Sequence, residues 1–491
     1  MNRRNFLMSA FGAAGMAYAQ SGKRPNILFA IADDWSHRHA SMYGHKWLNT
    51  PNIDRVAKEG VTFTNCFTSN PKCSPCRATI LTGRNSWQTK EAVSHFSFFP
   101  NEFPVYTTLL EQSGYFVGLT GKGWGPGEFR SMGFAHNPAG KSWDQAKLKP
   151  KYKGIGPNDY ATNFELFLKD RPANQPFCFW MGFTEPHRVY EEGSGLRAGK
   201  RLEDVKVAGY YPDHNTIKSD YLDYALEVES NDHHIGRALA ALEQRGELDN
   251  TLVVVTSDHG MPFPRVKGQI YEEGFHLPLF ARLPGVIKPG RTVDDFVNTR
   301  DFGPTFLDLA GLPKAGTMTG RSFLDLLRSE KNGWIDESRD VMLVGKERHD
   351  IGRPGDAGYP VRAIRTRQYL YVRNYHPERW PAGNPETGYR NVDDSPSKSF
   401  LLNTFDEYYK LSFGKRPPEE LYDISKDPEC LKNLADDRTL LDTKRKLRER
   451  MELMLRQEED PRMLGNEEFF DTIPYTGNSK HSWANWLKYQ Q

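Results

Sequence analysis

The sequence PNILFAIADDW, residues 25–35, joins a continuous apolar run to two adjacent acids, Asp33 and Asp34. Three similar apolar runs follow at 115–123, 176–187 and 251–260. Helical patterns separate these runs, and the longest extends from Ser219 to Arg245. Strands that are apolar along their whole length are buried on both faces, which is typical of parallel sheets covered by helices. The sequence therefore predicts an α/β fold with a large, mostly parallel sheet sandwiched by helices.

Polar residues collect at the ends of these predicted strands. They are Asp33, Asp34, Lys122, His187, Asp258 and His259. Ligands of such folds bind outside the carboxyl ends of the strands. Adjacent acids repel each other unless a cation or donor lies between them, and oxygen ligands from separate loops suit a divalent cation such as calcium. Taken singly, Asp33-Asp34 and Asp258-His259 are each also explained by a helix cap or a solvated turn. Lys122 is also explained as a solvated surface lysine, and His187 as a hydrogen-bonded histidine of the core. Together these residues predict a metal-dependent site at one sheet edge.

The sequence changes character after residue 350. The segment VRAIRTRQYLYVRNY, residues 361–375, alternates apolar and polar residues as an antiparallel strand pair does. Loops rich in Gly, Pro and Asp follow, and then a charged helical segment at 438–458. We therefore predict a signal sequence at 1–19, a catalytic domain at 20–355 and a smaller C-terminal α+β subdomain with an antiparallel sheet at 356–491.

The N-terminal segment MNRRNFLMSAFGAAGMAYAQ, residues 1–20, has the three parts of a secretory signal. Arg3 and Arg4 form a basic start that indicates the twin-arginine route, an apolar stretch follows, and Ala17-Tyr18-Ala19 is a cleavage site. No other run approaches the length of a membrane-spanning helix. The net charge is +2 and the pI is near 8.1, so a nucleic-acid-binding footprint is absent. These features predict a periplasmic or secreted protein that neither spans a membrane nor binds nucleic acid.

Five cysteines, an odd number, leave at least one thiol outside any disulfide. Two of them, Cys73 and Cys76, open the stretch CSPCRATILTGR, residues 73–84. A redox Cys-x-x-Cys motif is expected to open a helix in a small domain near a βαβ unit, and a zinc site needs a second Cys or His pair. The sequence contains neither a separate small redox domain nor a second Cys or His pair at matched spacing, so the stretch requires another explanation.

The pattern Cys73-x-Pro75-x-Arg77, followed by Leu81-Thr82-Gly83, resembles the signature of the sulfatase family. In that signature the first cysteine is oxidised after translation to an aldehyde, formylglycine. Five further segments resemble parts of the family in the expected order: PNILFAIADD (25–34), GKG (121–123), TEPH (184–187), TSDHG (256–260) and ELYDISKDPECLKNLA (420–435). The segments FTEPHR (183–188) and HGMPFP (259–264), with Lys267 and Tyr271, resemble the sulfamidase (N-sulfoglucosamine sulfohydrolase) branch.

The resemblance implies an alkaline-phosphatase-like fold and one calcium ion. The ligands that it implies for the ion are Asp33, Asp34, Asp258, His259 and the modified residue at position 73. The partners that it implies are a sulfated saccharide as substrate and a formylglycine-generating maturation enzyme.

The resemblance also implies a mechanism carried by Cys73, Arg77, Lys122, His187 and Lys267. One hydroxyl of the hydrated formylglycine attacks sulfur, and the other later loses its proton and expels sulfate. Arg77 would hold the second hydroxyl, while Lys122 and Lys267 would neutralise charge on the sulfate oxygens. His187 would protonate the leaving oxygen or nitrogen.

Two positions depart from the family pattern. Trp124 stands where a Gly-Lys-x-His turn has the histidine that braces the modified residue. The brace is therefore either missing or supplied elsewhere, with His136 and His95 as the candidates. His259 stands where asparagine is more usual, and imidazole is an uncommon calcium ligand.

For the saccharide we predict contacts from Arg188, Arg348, His349 and Arg362, and from segment 374–383. Arginine forks suit uronate carboxylates and sulfates, although surface charge and subdomain packing explain the same residues. Three other functions stay open on the sequence alone. They are an O-sulfatase acting on an algal-type polysaccharide such as ulvan, a phosphodiester or phosphonate hydrolase of the same superfamily, and a non-catalytic binder of sulfated glycans.

Overall fold

The structure is a computed structural model that describes residues 24–404 and 406–490. The predicted signal sequence at 1–19 lies outside the described residues. The strands are β1 Asn26–Ala32, β2 Val61–Phe67, β3 Ser97–Phe98, β4 Phe116–Gly121, β5 Gly127–Glu128, β6 Lys141–Ser142, β7 Phe177–Gly182, β8 Thr251–Ser257, β9 His276–Arg282, β10 Arg291–Val293, β11 Val297–Asn298, β12 Val341–Lys346, β13 Val361–Thr366, β14 Tyr369–Asn374 and β15 Glu419–Asp423.

The α-helices are α1 Pro51–Lys58, α2 Cys73–Thr82, α3 Tyr106–Gln112, α4 Tyr160–Asp170, α5 Ser194–Arg197, α6 Asn215–Gln244, α7 Glu272–Phe275, α8 Phe302–Leu309, α9 Leu324–Arg328, α10 Pro396–Leu402, α11 Glu407–Phe413, α12 Leu441–Gln457, α13 Glu468–Thr472 and α14 Trp483–Tyr489. Among the described residues, no helix is both long enough and apolar enough to cross a membrane.

Nine of the described strands form one sheet in the order β10-β2-β9-β8-β1-β7-β4-β6, with β11 paired beside β2. Strand β1 lies at its centre and pairs in parallel with β8 on one side and β7 on the other. Strand β4 extends the parallel arrangement beyond β7, whereas β9 is antiparallel to both of its neighbours. The mostly parallel sheet predicted from the sequence is confirmed.

Side chains of the central strand alternate between two apolar cores, one on each face of the sheet. Leu28 and Ala30 of β1 pack in the core that contains buried residues of α6. Ile27 and Phe29 pack in the opposite core, which contains buried residues of α8. Both sets are fully buried, which explains why β1 is apolar until Asp33. Helices therefore cover both faces, as predicted.

A second sheet is antiparallel and has the order β12-β13-β14-β15. One face packs against residues of the main sheet region, including Phe67 and Phe275. Helix α12 covers the other face with Leu447 and Met451. The strand pair predicted at 361–375 is β13 with β14. The sheet begins with β12, ahead of the boundary at residue 356 that the sequence predicts, because β12 pairs with β13 along its whole length.

Helix α2, which carries the Cys73 motif, is absent from the sequence prediction. All ten of its residues are buried, so it has no polar face and no amphipathic period by which a sequence pattern could reveal it. Its end is conventional, because Gly83 adopts the left-handed conformation (φ 62°) and its N–H donates to the carbonyl of Thr79.

Candidate active site

Four parallel strands and helix α2 bring the predicted residues to one edge of the main sheet. Strands β1, β4, β7 and β8 are followed, in that order, by Asp33 and Asp34, Lys122, His187, and Asp258 and His259. These strands are neighbours that run in the same direction, so their carboxyl ends share one edge. Cys73 reaches the same edge as the first residue of α2.

Buried carboxylates and ammonium groups form close pairs in the site. Oδ2 of Asp33 lies 2.5 Å from Nζ of Lys122, and Oδ2 of Asp34 lies 2.6 Å from Nζ of Lys267. Burial opposes ionisation of Asp33, yet Lys122 holds the pKa of that carboxyl well below its ordinary value. Asp258 behaves differently, because burial and then the charge of Asp33 raise its pKa to about 7. The positively charged side chains of the site therefore compensate the carboxylate of Asp258 less completely than that of Asp33.

Arg77 connects helix α2 to two strand ends. Its Nε donates to Oδ2 of Asp258 at 2.9 Å, and its Nη1 donates to the carbonyls of Lys122 and Gly123 at 2.6 Å and 3.1 Å. Its Nη2 lies 3.5 Å from Oδ1 of Asp33. The guanidinium is fully buried and its donors are engaged, so Arg77 fixes the position of α2 relative to the carboxylates.

His259 is oriented as a metal-ligating histidine is. Its Nδ1 lies 3.1 Å from the carbonyl oxygen of Gly260, which only accepts hydrogen bonds, so Nδ1 carries the hydrogen. Its Nε2 then faces Oδ1 of Asp34 at 3.0 Å and Sγ of Cys73 at 3.3 Å. Metal-bound histidines characteristically donate the other ring N–H to such a carbonyl.

Two further observations fit a divalent cation. The buried Oδ1 of Asp34 accepts no hydrogen bond from any described residue. Candidate ligand atoms of Asp33, Cys73, Asp258 and His259 all lie within 4.8 Å of one another. The residues present therefore fit a metal ion between the ends of β1 and β8.

Cys73 differs from the other cysteines in its electrostatic surroundings. Burial and Asp33 oppose its ionisation, but Lys122 and His259 bring the pKa of its thiol well below the ordinary value. Burial instead raises the pKa of Cys76, as it does for Cys66, Cys178 and Cys430. Cys73 is thus the one of the five cysteines whose surroundings favour the thiolate.

His187 stands at the edge of the site, with 34% of its side chain exposed. Its Nδ1 lies 2.6 Å from the carbonyl oxygen of Arg188 and therefore donates to it. Its Nε2 lies 3.9 Å from Oδ2 of Asp34 and is the ring nitrogen left for a ligand.

The site opens into a pocket of about 460 Å³. Its lining includes Cys73, Lys122, His187 and Lys267 of the predicted set, together with Lys72, His95, Phe96, Gly125, Pro126, Asp350, Arg390 and Asp393. Oδ2 of Asp350 lies 2.8 Å from Nζ of Lys72, and Oδ2 of Asp393 lies 2.8 Å from Nζ of Lys267.

Four charged residues of the pocket lining are not predicted from the sequence: Lys72, Asp350, Arg390 and Asp393. Lys72 directly precedes Cys73, and that adjacency is the signal that could have identified it. The other three lie in loops of the C-terminal part, where no local pattern marks them.

The four residues predicted to bind the saccharide do not line this pocket. Arg188 makes two hydrogen bonds of 2.7 Å to Asp220, and Arg362 makes bonds of 2.6 Å and 3.0 Å to Asp460. His349 is buried, and its Nε2 lies 2.8 Å from Oδ1 of Asn70.

Arg348 donates to the backbone carbonyls of Ile473 and Pro474. In segment 374–383, the carbonyls of Trp380 and Pro381 accept from Arg353. These side chains therefore hold the fold together, and the sequence could not show this because their partners are far away in the chain.

Trp124, which stands at the position of the expected histidine, contacts the backbone next to Cys73. Its Nε1 donates to the carbonyl of Ser74 at 3.0 Å, so it braces the backbone beside Cys73 rather than the Cys73 side chain. His95 lines the pocket, and its Nδ1 lies 3.0 Å from Oδ1 of Asp350. His136 is exposed and lies outside the pocket lining, so of the two alternatives only His95 is near the site.

These features define a candidate metal-binding site at the ends of parallel strands. Comparison with known proteins identifies the family. The sulfatase family model matches residues 25–312, more than half of the chain, and the protein belongs to the sulfatase family. It is a hydrolase of sulfate esters or sulfamates. A second model, that of the N-sulphoglucosamine sulphohydrolase C-terminal region, matches residues 263–380.

Two relatives illustrate the sequence identity and the share of the chain that the similarity covers. An ulvan-active sulfatase of Formosa agariphila is 28% identical over 431 residues, which cover 87% of this chain and 78% of that protein. The N-sulphoglucosamine sulphohydrolase of Homo sapiens is 28% identical over 459 residues, which cover 84% of this chain and 86% of that protein.

A solved structure with bound D-glucosamine-2-N,6-O-disulfate superimposes with a TM-score of 0.64 at 24% identity, covering 89% of this chain and 99% of that one. The alkaline-phosphatase-like sulfatase fold implied by the sequence is thereby confirmed.

Proposed function

We propose that the protein is an exported sulfatase that removes the N-sulfate of glucosamine in heparan-type saccharides, using a formylglycine formed at position 73. The observation that carries the proposal is the convergence of Cys73 with Asp33, Asp258 and His259 within 4.8 Å. The match of residues 263–380 to the sulphamidase C-terminal region supports the choice of substrate. Export rests on the sequence of residues 1–20.

The pocket residues have complementary charges for a sulfate group. Lys122 pairs with Asp33 and Lys267 pairs with Asp34, and both lysines line the pocket. Ammonium groups held in place before the reaction stabilise negative charge that develops on sulfate oxygens. His187 donates Nδ1–H to a carbonyl, so a second proton on Nε2 is the one that the leaving nitrogen or oxygen would receive.

The proposed ligands of the cation are Asp33, Asp34, Asp258 and His259, with calcium as the proposed ion because carboxylate oxygens dominate the set. A bound divalent cation supplies charge neutralisation and lowers the pKa of a nucleophilic hydroxyl, and formylglycine supplies the pair of hydroxyls. The chain itself contributes the buried Arg77, which keeps residue 73 next to these carboxylates.

A second candidate is an O-sulfatase acting on ulvan. The similarity to the Formosa agariphila sulfatase, which covers 87% of this chain, favours it. Both candidates use the same sulfate site. They differ in the sugar and in the bond that is cleaved, which is S–N for the N-sulfated glucosamine and S–O for ulvan.

The test is a substrate screen with protein whose formylglycine content has been measured by peptide mass mapping. Glucosamine N-sulfate, a heparan-type disaccharide and ulvan oligosaccharides are incubated with wild type and with Cys73→Ala, and released sulfate is quantified. A phosphonate monoester serves as the control for related phosphorus chemistry. The proposal expects sulfate release from the N-sulfated sugars by wild type only. Release from ulvan alone would select the second candidate, and release from neither by fully modified protein would refute both.

A further inference from the structure

A second chamber of about 320 Å³ adjoins the active-site pocket. Phe96, Asp350, Arg390 and Asp393 line both cavities, so the two form one groove that leads away from Cys73. Ligand pockets of proteins commonly measure about 300–1,000 Å³, so each chamber has room for a sugar ring. Tyr475, from the C-terminal segment, contributes to the wall of the second chamber alone.

Two aromatic rings stand at the junction and along the second chamber. The ring centroids of Phe96 and Tyr475 are 5.2 Å apart with an interplanar angle of 48°, and both residues are half-buried. Phe96 has a left-handed backbone (φ 51°), a conformation that is unfavourable for a non-glycine residue. The N–H of Thr476 donates to the carbonyl of Phe96 at 2.8 Å and helps to hold this conformation. Aromatic faces of this kind suit the apolar C–H face of a pyranose.

The chamber wall is held in place before any ligand binds. Arg348 donates to the carbonyls of Ile473 and Pro474, immediately before Tyr475. Arg390 donates to Nε2 of His481, which joins the loop after β14 to the C-terminal segment. Groups that are already ordered lose less entropy on binding, which favours affinity.

One polar group beside the junction is left without a partner. Nδ1 of His95 is engaged by Asp350, whereas its Nε2 is buried and has no hydrogen-bond partner among the described residues. His95 is 6% exposed and lines the first chamber directly before Phe96. A buried polar atom of this kind in a cavity wall is available to form a hydrogen bond with a bound ligand or an ordered water.

We propose that the second chamber binds the sugar unit adjacent to the sulfated one, with its ring against Phe96 and Tyr475. The enzyme then acts on oligosaccharides in preference to free sulfated monosaccharides. This inference rests on the proposed function for the identity of the sulfated sugar, but it concerns a different set of residues.

The test measures binding apart from turnover. Cys73→Ala, which cannot form the aldehyde, is titrated calorimetrically with glucosamine N-sulfate and with a heparan-type disaccharide whose non-reducing sugar is N-sulfated. Because the disaccharide fills the second chamber as well, it is expected to bind about tenfold more tightly, which corresponds to about 1.4 kcal/mol. Adding Tyr475→Ala should remove most of this advantage, and Tyr475→Phe should retain it. Tyr489→Ala is the matched control, because Tyr489 is 86% exposed in the same C-terminal region.

Equal dissociation constants for the two sugars, no binding of either, or an advantage that survives Tyr475→Ala would overturn the subsite. The outcome is separable from that of the proposed function. If modified wild type releases no sulfate from these sugars but Cys73→Ala still binds the disaccharide more tightly, the subsite stands and the proposed function fails. Sulfate release together with equal affinities would support the proposed function and refute the subsite.

Discussion

Arg77 and Asp258 are joined by a hydrogen bond of 2.9 Å between Nε and Oδ2, and both side chains are fully buried. Arg77 lies four residues after Cys73 on α2, so the two side chains project from the same face of the helix. Asp258 follows β8 at the centre of the sheet. Together with the bonds from the same guanidinium to the carbonyls of Lys122 and Gly123, this bond fixes the position of residue 73 relative to the buried carboxylates of the site.

The first prediction distinguishes the two cysteines of the motif. Cys73→Ala should reduce kcat/KM by at least about 10³-fold, as removal of a nucleophile does. Cys76→Ser should keep most of the activity, because Cys76 is a buried thiol with a raised pKa and no place in the pocket. Peptide mapping should show loss of sulfur at position 73 only. A stable disulfide between Cys73 and Cys76 in active enzyme would contradict the assignment.

The second prediction concerns the cation. Removal of metal with a chelator should abolish turnover, and added calcium should restore it. A cation that binds only the folded state at a concentration of about 100 times Kd stabilises the protein by about 2.7 kcal/mol, so the melting temperature should rise as calcium is added. Asp258→Asn should weaken both effects. Full activity in protein shown by elemental analysis to be metal-free would refute the site.

The third prediction assigns the proton donor. A sugar nitrogen or oxygen needs a proton as it leaves, whereas 4-nitrophenolate does not, and general acid catalysis contributes about 10²–10⁴-fold. His187→Ala should therefore lower kcat/KM for the sugar sulfate by about that factor and affect 4-nitrophenyl sulfate far less. Equal losses on the two substrates would mean that His187 binds sulfate instead of donating a proton.

The fourth prediction separates structure from substrate binding at Arg188. The ion pair between Arg188 and Asp220 is buried. Arg188→Met would leave the carboxylate of Asp220 without its partner and should therefore lower the free energy of unfolding by about 3–5 kcal/mol. The double variant Arg188→Met with Asp220→Asn removes the uncompensated charge and keeps an acceptor for the buried Ser397 hydroxyl, so it should regain part of that stability. Urea unfolding of the three proteins measures the effect. A large rise in KM without loss of stability in Arg188→Met would instead support the sequence-based prediction of substrate contact.

The strand ends could be predicted from the sequence because apolar strands and the polar residues after them are adjacent in the chain. Asp33, Lys122, His187 and Asp258 follow directly from that pattern and from the parallel order of the strands. Charge alone also suggests Arg362 as a contact for a sulfated ligand. In the structure its guanidinium instead pairs with Asp460, which lies 98 positions later in the chain. A sequence pattern shows which residues carry charge and does not show which distant residue already neutralises it.

The residues of the pocket walls could not be predicted from the sequence, because their positions also depend on contacts between distant parts of the chain. Asp350 and Asp393 acquire their positions only when the C-terminal part packs on the first sheet, and each then pairs with a lysine close to the nucleophile. Strand β9 escaped prediction because its run HLPLFAR contains a proline and no alternation.

The contact between Lys267 and Asp393 also bears on how such enzymes diversify. The residues proposed to handle sulfur all lie before residue 268, whereas Asp350, Arg390, Asp393 and Tyr475 in the chamber walls lie after residue 349. Exchanging the later part of the chain between relatives should therefore transfer the share of sugar selectivity that these four residues determine, whereas His95 and Phe96 remain with the sulfur chemistry. The salt bridge marks where such chimeras must match, because a donor segment without an acid at position 393 would leave Lys267 with Asp34 as its one remaining carboxylate partner among the described residues.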